Sequence, residues 1–401
     1  MMKTRQLKIS ELLRKGMLPI TLILLIFSSC STKRKTDSRV VLNKQYKDEI
    51  LAGREDLKMH LITASTTGIS VSVSIDGETV WSEGIGYANK EVLAPARPET
   101  KFRIGRTTHM LTAMLIARLQ EEGKLNVHDS FYQYIPEYPK KQFDFNLYQL
   151  GVYSAGYNED ELSKLATQKE YKNLKEYIQS QASDTLAYPP NEYYAVSDYS
   201  MAMLGILAED ITETNFAKLM KETILDTLGL HETVIDNPLM ITENRAAPYY
   251  QNYIAQLMNA PAIDLRYCAP AHGYLSTADD LNKVGQAVLK AGFFSQESLD
   301  LFFTKNILNN GFETNRGFGW WVSEDMEGRK IYVQAGSTVG GSSMLAVYPE
   351  QKLVVSLCAN ISDDMGQLPG QKIANTFLAK IDPRKHPKEP VSDEEKPTSN
   401  D

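Results

Sequence analysis

The pattern of apolar and polar positions predicts a buried helix that begins near residue 108. From Met110 to Leu119 nearly every position is apolar, so this helix should be buried on all sides. A charged last turn follows, and Gly123 is placed at the expected C-cap. The first turn, Arg106 to His109, is polar and charged. A helix that begins in this way can carry a reactive side chain at its N-terminus, where free N–H groups and the helix dipole stabilise anions.

A helix and a β-hairpin are predicted before this buried helix. Residues 45–62 carry apolar positions at helical spacing, and residues 69–75 alternate strictly between apolar and serine side chains. Such alternation predicts a half-buried strand, with one face in the core and one face in solvent. Asp76-Gly77 is a two-residue hairpin signal, and a second strand is predicted over 79–87.

The remainder of the chain continues this mixture of helices and strands. A charged helical stretch is predicted over 158–187 and a closing helix over 367–380. Three further strands are predicted over 331–336, 345–348 and 353–360. Residues 383–401 are charged and rich in proline, which predicts a disordered tail.

Length, charge and cysteine content narrow the class of protein. The chain has 401 residues, which allows one large domain or two, and its formal net charge of -7 argues against a nucleic-acid binder. Cys268 and Cys358 are too far apart in sequence to indicate a disulfide framework. Two buried free thiols are therefore expected, with a bridge between them as the alternative.

Residues 1–30 have the pattern of a targeting segment. A basic region precedes an apolar run over 17–27, which is short for a membrane span, and Ser28-Ser29-Cys30 follows. This resembles a bacterial lipoprotein signal in which Cys30 becomes the lipidated first residue. An ordinary cleaved signal and an uncleaved anchor are the alternatives. Ser31, in place of an aspartate, favours the outer membrane, and residues 31–44 are predicted to be a tether.

The buried helix and its flanks resemble one enzyme family. That family's pattern is F-x-I-x-Ser-x-x-Lys-x-x-T-A followed by L-x-E-E-G-K-L. This chain matches it at Phe102, Ile104, Thr112, Ala113, Leu119, Glu121, Glu122, Gly123, Lys124 and Leu125. Further segments match in the same order at 190–198, 271–281, 317–321 and 334–343. Over about residues 45–380 the chain resembles the serine β-lactamase and penicillin-binding protein family, in its class C, esterase and D-aminopeptidase-like branch.

The resemblance implies a fold and a domain organisation. The fold is α/β (α+β) and β-lactamase-like, with a central antiparallel sheet flanked by helices and an inserted, mainly helical subdomain. The implied domain covers residues 45–382. Its sheet subdomain is expected at 45–90 and 325–382, and its helical subdomain at 91–324.

The family's catalytic residues are not intact in this chain. Arg106 stands at the position of the nucleophilic serine and His109 at that of its lysine, while Val196 and Asp198 replace a tyrosine and an asparagine. Arginine stays protonated and cannot attack a carbonyl, and valine cannot accept a proton. Gly336 alone survives from the third motif, where Gln334 replaces a lysine or histidine. The resemblance gives as candidate cleft residues Arg106, His109, Tyr153, Asp198, His272, Gln334 and Ser337.

Several hypotheses for this altered site remain open at this point. Because the motifs converge in the family's fold, Arg106 and Asp198 are expected to form an ion pair that fills the old site. The alternative is that both are solvated in an unused cleft. His109 is expected to be a hydrogen-bonded core histidine. Less favoured are a displaced nucleophile at Thr107 or Thr108, and a metal site built from His109, Asp198 and His272, which no ligand spacing supports.

These observations predict a lipid-anchored protein of the bacterial cell envelope, facing the periplasm or the cell surface. With its catalytic positions replaced, it is expected to be an inactive relative of serine hydrolases that needs no cofactor or metal. It would bind a peptide, a cell-wall fragment or a protein partner in the former cleft. An active hydrolase with a non-standard nucleophile and a purely structural envelope protein are the alternatives, because fold resemblance alone does not establish function.

Overall fold

A computed structural model describes residues 39–159, 171–362 and 368–384, and the compact unit that carries the fold begins at Val41. Its main feature is a nine-stranded antiparallel sheet. Eight of its strands follow one another in the spatial order Val41–Leu42, Glu78–Asn89, Gly68–Ile75, Leu353–Ala359, Gly341–Tyr348, Lys330–Thr338, Trp320–Glu324 and Arg316–Gly317, and the ninth, Ala94–Pro95, pairs with Glu78–Asn89. The predicted α/β class with a central antiparallel sheet is confirmed.

Helices cover both faces of this sheet. The first helix and the last helix pack together on one face, and the helix Ala278–Leu289 packs on the other. Within the described ranges the α-helices are Lys47–Thr63, Thr108–Glu121, Phe131–Tyr134, Leu147–Gly151, Leu174–Ser180, Asp198–Thr212, Phe216–Met220, Asp226–Leu228, Ala269–His272, Ala278–Leu289, Gln296–Phe303 and Gly370–Ile381. Two small sheets complete the fold, one formed by Phe102–Arg103, Tyr274–Ser276 and Val234–Ile235, the other by Tyr249–Gln251 and Leu257–Asn259.

The hairpin and the buried helix form as their sequences predict. Asp76 and Gly77 adopt positive φ angles of 52° and 82°, as a type I′ turn requires. The helix Thr108–Glu121, called the central helix below, has nearly all of its side chains buried, and Gly123 follows it at a φ of 69°. The central helix therefore runs through the core and leaves its N-terminal end next to the sheet.

The strand Gly68–Ile75 departs from its prediction, because both of its faces are buried rather than one. Its valines pack against the first and last helices, as the pattern indicates. Its serines face the helix Ala278–Leu289, where Ser74 donates a hydrogen bond of 2.7 Å to Asn282, and Asn282 donates to the Ser72 carbonyl at 3.1 Å. Serine is small enough to pack beneath a helix, so the alternating polar face here lies against a second packed layer rather than solvent.

Three predicted boundaries are corrected by the structure. Residues 41–42 pair with Ser82 and Trp81, so the predicted tether over 31–44 ends before Val41. The strands Arg316–Gly317 and Trp320–Glu324 belong to the large sheet, although they were assigned to the helical subdomain 91–324. Within the predicted helix 158–187, the described residues form a helix only over Leu174–Ser180, which Asn173 caps, and residues 160–170 lie outside the described part.

Other predictions concern residues that the structure does not describe. The targeting segment with Cys30, most of the predicted tether and residues 385–401 lie outside the described ranges. Among the helices described, none has the length and apolar character needed to cross a membrane. Cys268 and Cys358 are buried free thiols, and burial raises the pKa of each above its usual value, as expected for structural cysteines.

Candidate functional site

The candidate site forms where the strand Lys330–Thr338 meets the N-terminal end of the central helix. A methyl group on Gly336 would lie 2.2 Å from the Thr107 backbone nitrogen and 2.6 Å from that of Arg106. Gly105, at a φ of 55°, lies against Ser337 in the same way. Only glycine permits backbones to approach so closely. This contact explains why Gly336 is retained although the rest of its motif is substituted.

Arg106 pairs with Asp198 at this junction. Its guanidinium donates from Nε to Asp198 Oδ1 at 2.9 Å and from Nη2 to Oδ2 at 3.3 Å, a two-pronged contact typical of arginine and carboxylate. Asp198 opens the helix Asp198–Thr212, which Ser197 caps, and its side chain is only 5% exposed. The predicted ion pair is therefore present, and the alternative of two solvated side chains is wrong.

Two histidines contact the same carboxylate. His109 Nε2 lies 3.2 Å from Asp198 Oδ1, and His272 Nε2 lies 2.7 Å from Oδ2. The Nδ1 atom of His109 is 3.0 Å from the hydroxyl of Tyr153. His109 is thus the buried, hydrogen-bonded core histidine that was predicted. We call Arg106, His109, Asp198 and His272 the Asp198 cluster.

The surroundings of the Asp198 cluster determine its protonation. Burial lowers the pKa of His109 to about 4 and raises the pKa of Tyr153 to about 12. At neutral pH the tyrosine is therefore a phenol and the histidine is neutral. Tyr153 then donates to Nδ1, which leaves the N–H on Nε2 facing the carboxylate. This tautomer is assigned from the hydrogen-bond network, because no other places a proton between His109 and Asp198.

Asp198 remains ionised within this network. Burial raises its pKa, but the His272 and Arg106 side chains and the hydrogen bonds from both histidines outweigh burial and hold the pKa well below its usual range. Tyr153, which joins the network through His109, has a φ of 62°, an unusual conformation for a residue other than glycine. Such backbone strain is often concentrated at functional sites.

The remaining predicted cleft residues have structural partners. Gln334 is buried, donates from Nε2 to the Gly319 carbonyl at 2.8 Å and accepts from the Ala335 N–H at 3.2 Å. It therefore connects the strand Lys330–Thr338 to Gly319, at the position where the family's pattern has a lysine or histidine. Ser337 donates to the Gly341 carbonyl at 3.4 Å. Val196 lines a neighbouring cavity and offers no titratable group.

In the part of the chain that the structure describes, neither flanking threonine is hydrogen-bonded to a base. The hydroxyl of Thr107 is buried, donates to the Ser343 carbonyl at 3.4 Å and accepts from the Ser343 hydroxyl at 2.8 Å. The hydroxyl of Thr108 is buried without a hydrogen-bond partner among the described residues. A nucleophile needs a base within hydrogen-bond reach. The geometry therefore gives no support to a displaced threonine nucleophile.

A metal site is equally unsupported by the contacts. The Nε2 atoms of His109 and His272 lie 3.2 Å and 2.7 Å from the oxygens of Asp198, and the guanidinium of Arg106 contacts the same two oxygens. A zinc ion would need its ligand atoms at about 2 Å and would have to replace these direct contacts. Within the described ranges, no group of three or more histidine, cysteine, aspartate or glutamate side chains has an arrangement that could hold a metal.

A cavity of about 550 Å³, called the tyrosine cavity below, adjoins the Asp198 cluster. It was not predicted, and its lining includes Asn158, Glu159, Tyr188, Tyr193, Tyr194 and Arg316. Glu159 connects it to the cluster, because its carboxylate lies 3.8 Å from Arg106 Nη1. The sequence features that could have indicated it are the three tyrosines between 188 and 194 and the arginine directly before the GFGWW segment.

The antiparallel sheet and the central helix that starts against it have the arrangement of β-lactamase-like serine hydrolases. The chain belongs to the Beta-lactamase family, whose profile matches residues 52–376. The human mitochondrial serine beta-lactamase-like protein LACTB is 24% identical over 378 aligned residues, covering 71% of this chain and 69% of that protein. Protein flp of Staphylococcus aureus strain N315 is 21% identical and is covered to 60%, against 74% of this chain.

Solved structures show the same fold. The octameric penicillin-binding protein homologue from Pyrococcus abyssi superposes with a TM-score of 0.72 at 22% identity, covering 82% of this chain and 76% of that one. A class C beta-lactamase gives a TM-score of 0.71 at 19% identity, covering 86% of this chain and 99% of that one. The predicted β-lactamase-like fold is therefore confirmed, and likeness at this identity concerns the fold alone.

Proposed function

We propose that this protein is a non-acylating member of the Beta-lactamase family that binds a ligand in the former catalytic cleft. The observation that carries this proposal is the ion pair between Arg106 and Asp198, which occupies the junction of helix and strand where the family places its nucleophile. A guanidinium has no nucleophilic lone pair and stays protonated at every physiological pH. The protein thus retains the scaffold and lacks the reacting group.

The residues around the pair do not replace that group. His109 is neutral at pH 7 and has the basic lone pair that a catalytic base needs, but that lone pair accepts from Tyr153. Without a nucleophile and its base, only binding and oxyanion contacts remain, which leaves a rate many powers of ten below that of a working acylase. Arg106 is also only 21% exposed, so its guanidinium itself occupies space that an acyl group would need.

We place the protein at the bacterial envelope on sequence alone. The basic region, the apolar run over 17–27 and Cys30 support a lipid anchor, and Ser31 favours the outer membrane. Cys30→Ala tests this step directly, because it should abolish incorporation of a labelled fatty acid and release the protein from the membrane fraction. Unchanged labelling and membrane retention in this variant would contradict the anchor.

Covalent labelling tests the non-acylating function. Full-length protein is incubated with a penicillin and with a fluorophosphonate and its intact mass is measured. A variant that restores the family's residue types, with Arg106→Ser, His109→Lys, Val196→Tyr and Asp198→Asn, is treated in parallel. We expect no added mass on the native protein and an adduct on the variant.

The rival function is an active hydrolase with an unrecognised nucleophile. A stoichiometric adduct on the native protein would support it and refute our proposal, and peptide mapping would then identify the modified residue. Membership of the Beta-lactamase family supports this alternative function. However, neither threonine hydroxyl described at the N-terminus of the central helix is paired with a base.

A further inference from the structure

Arg316 is held in an unusual way at the edge of the tyrosine cavity. Its guanidinium carbon lies 4.3 Å from the ring centroid of Trp321, 5.6 Å from that of Tyr153 and 5.9 Å from that of Tyr194. Three aromatic rings around one cation restrict its motion and supply favourable cation–π contacts. The guanidinium is therefore oriented before any ligand arrives.

The same guanidinium has no hydrogen-bond acceptor among the described residues. Its Nε atom is buried without a partner, and within the described ranges no carboxylate oxygen lies within 4 Å of its nitrogen atoms. An arginine side chain offers five N–H donors, and leaving them unsatisfied in a half-buried position is costly. Burial accordingly lowers the pKa of Arg316. Elsewhere in the chain, buried Arg103 and Arg329 each pair with at least one carboxylate.

None of the carboxylates described near the cavity pairs with Arg316. Asp198 is already shared by Arg106 and the two histidines. Glu159, the acidic residue that lines the cavity, is 68% exposed and lies nearest to Arg106, at 3.8 Å. An ion pair as exposed and as long as that of Glu159 with Arg106 contributes little free energy. Among the described residues, the end of the cavity at Arg316 therefore carries a positive charge that no carboxylate contacts.

The wall of the cavity beside Arg316 is aromatic. Tyr188 and Tyr193 have ring centroids 5.0 Å apart, and Tyr193 and Tyr194 stack at 5.9 Å with an interplanar angle of 22°. Tyr193 is 52% exposed, so its ring is accessible to a ligand. At about 550 Å³ the cavity has the size of a small-molecule site. A flat or apolar group fits this wall while an anion fits Arg316.

We propose that the tyrosine cavity binds a small carboxylate, whose oxygens accept from Arg316 and whose adjoining flat or apolar group packs on Tyr193 and Tyr194. This inference rests on the proposed binding function and assigns its ligand class. A peptide C-terminus and a uronic acid both present this chemistry. The planar fork of arginine matches a carboxylate in two hydrogen bonds, which a neutral amide or ester cannot reproduce.

Binding of matched acid and neutral probes tests the proposal. Full-length protein in detergent is titrated by calorimetry with acetyl-tyrosine and acetyl-tyrosine amide, and with glucuronate and its methyl ester. Trp321 supplies a local signal, because it is 38% exposed whereas Trp81 and Trp320 are fully buried. We expect at least one acid to bind with a change in tryptophan fluorescence, and its neutral partner to bind about 10- to 100-fold more weakly.

Variants of Arg316 test whether this residue causes the preference for the acid over the neutral probe. Arg316→Gln should remove the preference for the acid, and Arg316→Lys should retain part of it. Arg118→Gln is the matched control, because Arg118 also lies over an aromatic ring, 6.0 Å from the centroid of Phe293, but pairs with Glu121 away from the cavity. This control should bind the acid as the native protein does. The comparison of acid and neutral probes uses the native protein, so it remains valid even if a variant fails to fold.

The outcomes separate the ligand class from the broader function. Equal affinity for acid and neutral probes, no saturation by either acid below about 10 mM, or an equal loss in Arg118→Gln would overturn the carboxylate site. None of these results would restore acylation, so the non-acylating function would stand. Conversely, a covalent adduct on the native protein would refute that function whether or not carboxylates bind. The acid that binds distinguishes a peptide from a sugar-acid source.

Discussion

Asp198→Asn provides the sharpest test of the Asp198 cluster. The native carboxylate is 5% exposed and accepts from Arg106 through two nitrogens, with both histidines in contact. An asparagine keeps one acceptor but turns an N–H₂ group toward these donors and removes the only negative charge in the cluster. Breaking a buried ion pair in this way costs about 3–5 kcal/mol. Because Arg106 is 21% exposed and can turn toward solvent, we expect about 3 kcal/mol.

A double-mutant cycle measures whether this energy belongs to the pair. Arg106→Ser removes the cation while Asp198 keeps both histidines, so we expect a smaller loss of about 1–2 kcal/mol. In Arg106→Ser/Asp198→Asn two neutral side chains of the family's types face each other. The double variant should therefore be more stable than the sum of the single losses predicts, with a coupling energy of about 2 kcal/mol.

Urea denaturation of all four proteins at neutral pH supplies the free energies of unfolding. Asp226→Asn serves as the control, because Asp226 forms an ion pair with Lys221 in which both side chains are about half exposed or more. That exposed pair should contribute less than about 1 kcal/mol. A coupling energy below about 0.5 kcal/mol between Arg106 and Asp198 would refute the reasoning, since neighbours in one network must couple.

Three further predictions concern pH, close backbone packing and the buried serine face. The pKa of His109 is about 4 in the folded protein against 6.5 for the unperturbed side chain, so the unfolded state binds the extra proton first as the pH falls. The free energy of unfolding should therefore be highest above pH 6.5 and fall by about 3 kcal/mol as the pH drops to 4. His109→Asn should flatten this part of the pH–stability curve. Gly336→Ala places a methyl group 2.2 Å from a backbone nitrogen and should cost about 1–3 kcal/mol in chemical denaturation, whereas a native-like free energy would show that the strand can move away. Asn282→Ala removes the side chain that donates to the carbonyls of Ser72 and Val354 and accepts from the Ser74 hydroxyl. It should cost about 2–4 kcal/mol in the same assay, which a loss below about 1 kcal/mol would contradict.

The order of elements was predictable because it depends on local patterns. Asp76-Gly77 requires positive φ angles wherever it occurs between strands, and the apolar positions from Met110 to Leu119 leave the central helix no exposed face. The contact of Arg106 with Asp198 was also predictable. It followed from the family's arrangement of motifs, since the two residues are 92 positions apart and no local pattern connects them.

The sequence could not predict contacts that depend on a third element. The serines of the strand Gly68–Ile75 were assigned to solvent, because alternation does not reveal whether a helix covers the polar face. His272 was a cleft candidate, yet its direct contact with Asp198 depends on where the helix Ala269–His272 ends. Arg316 was missed because it precedes a structural GFGWW segment and resembles no catalytic motif.

The sequence by itself therefore determined most of the elements, through short-range periodicity, and the family of the scaffold, through residue identities at matching motifs. Only the tertiary structure decided how the replacements work together. The low pKa of His109, the ionised Asp198 and the Arg316 guanidinium, which has no acceptor among the described residues, all arise from burial and from neighbours that are distant in the chain. Burial and long-range contact are properties of the packed molecule, and no single stretch of sequence encodes them.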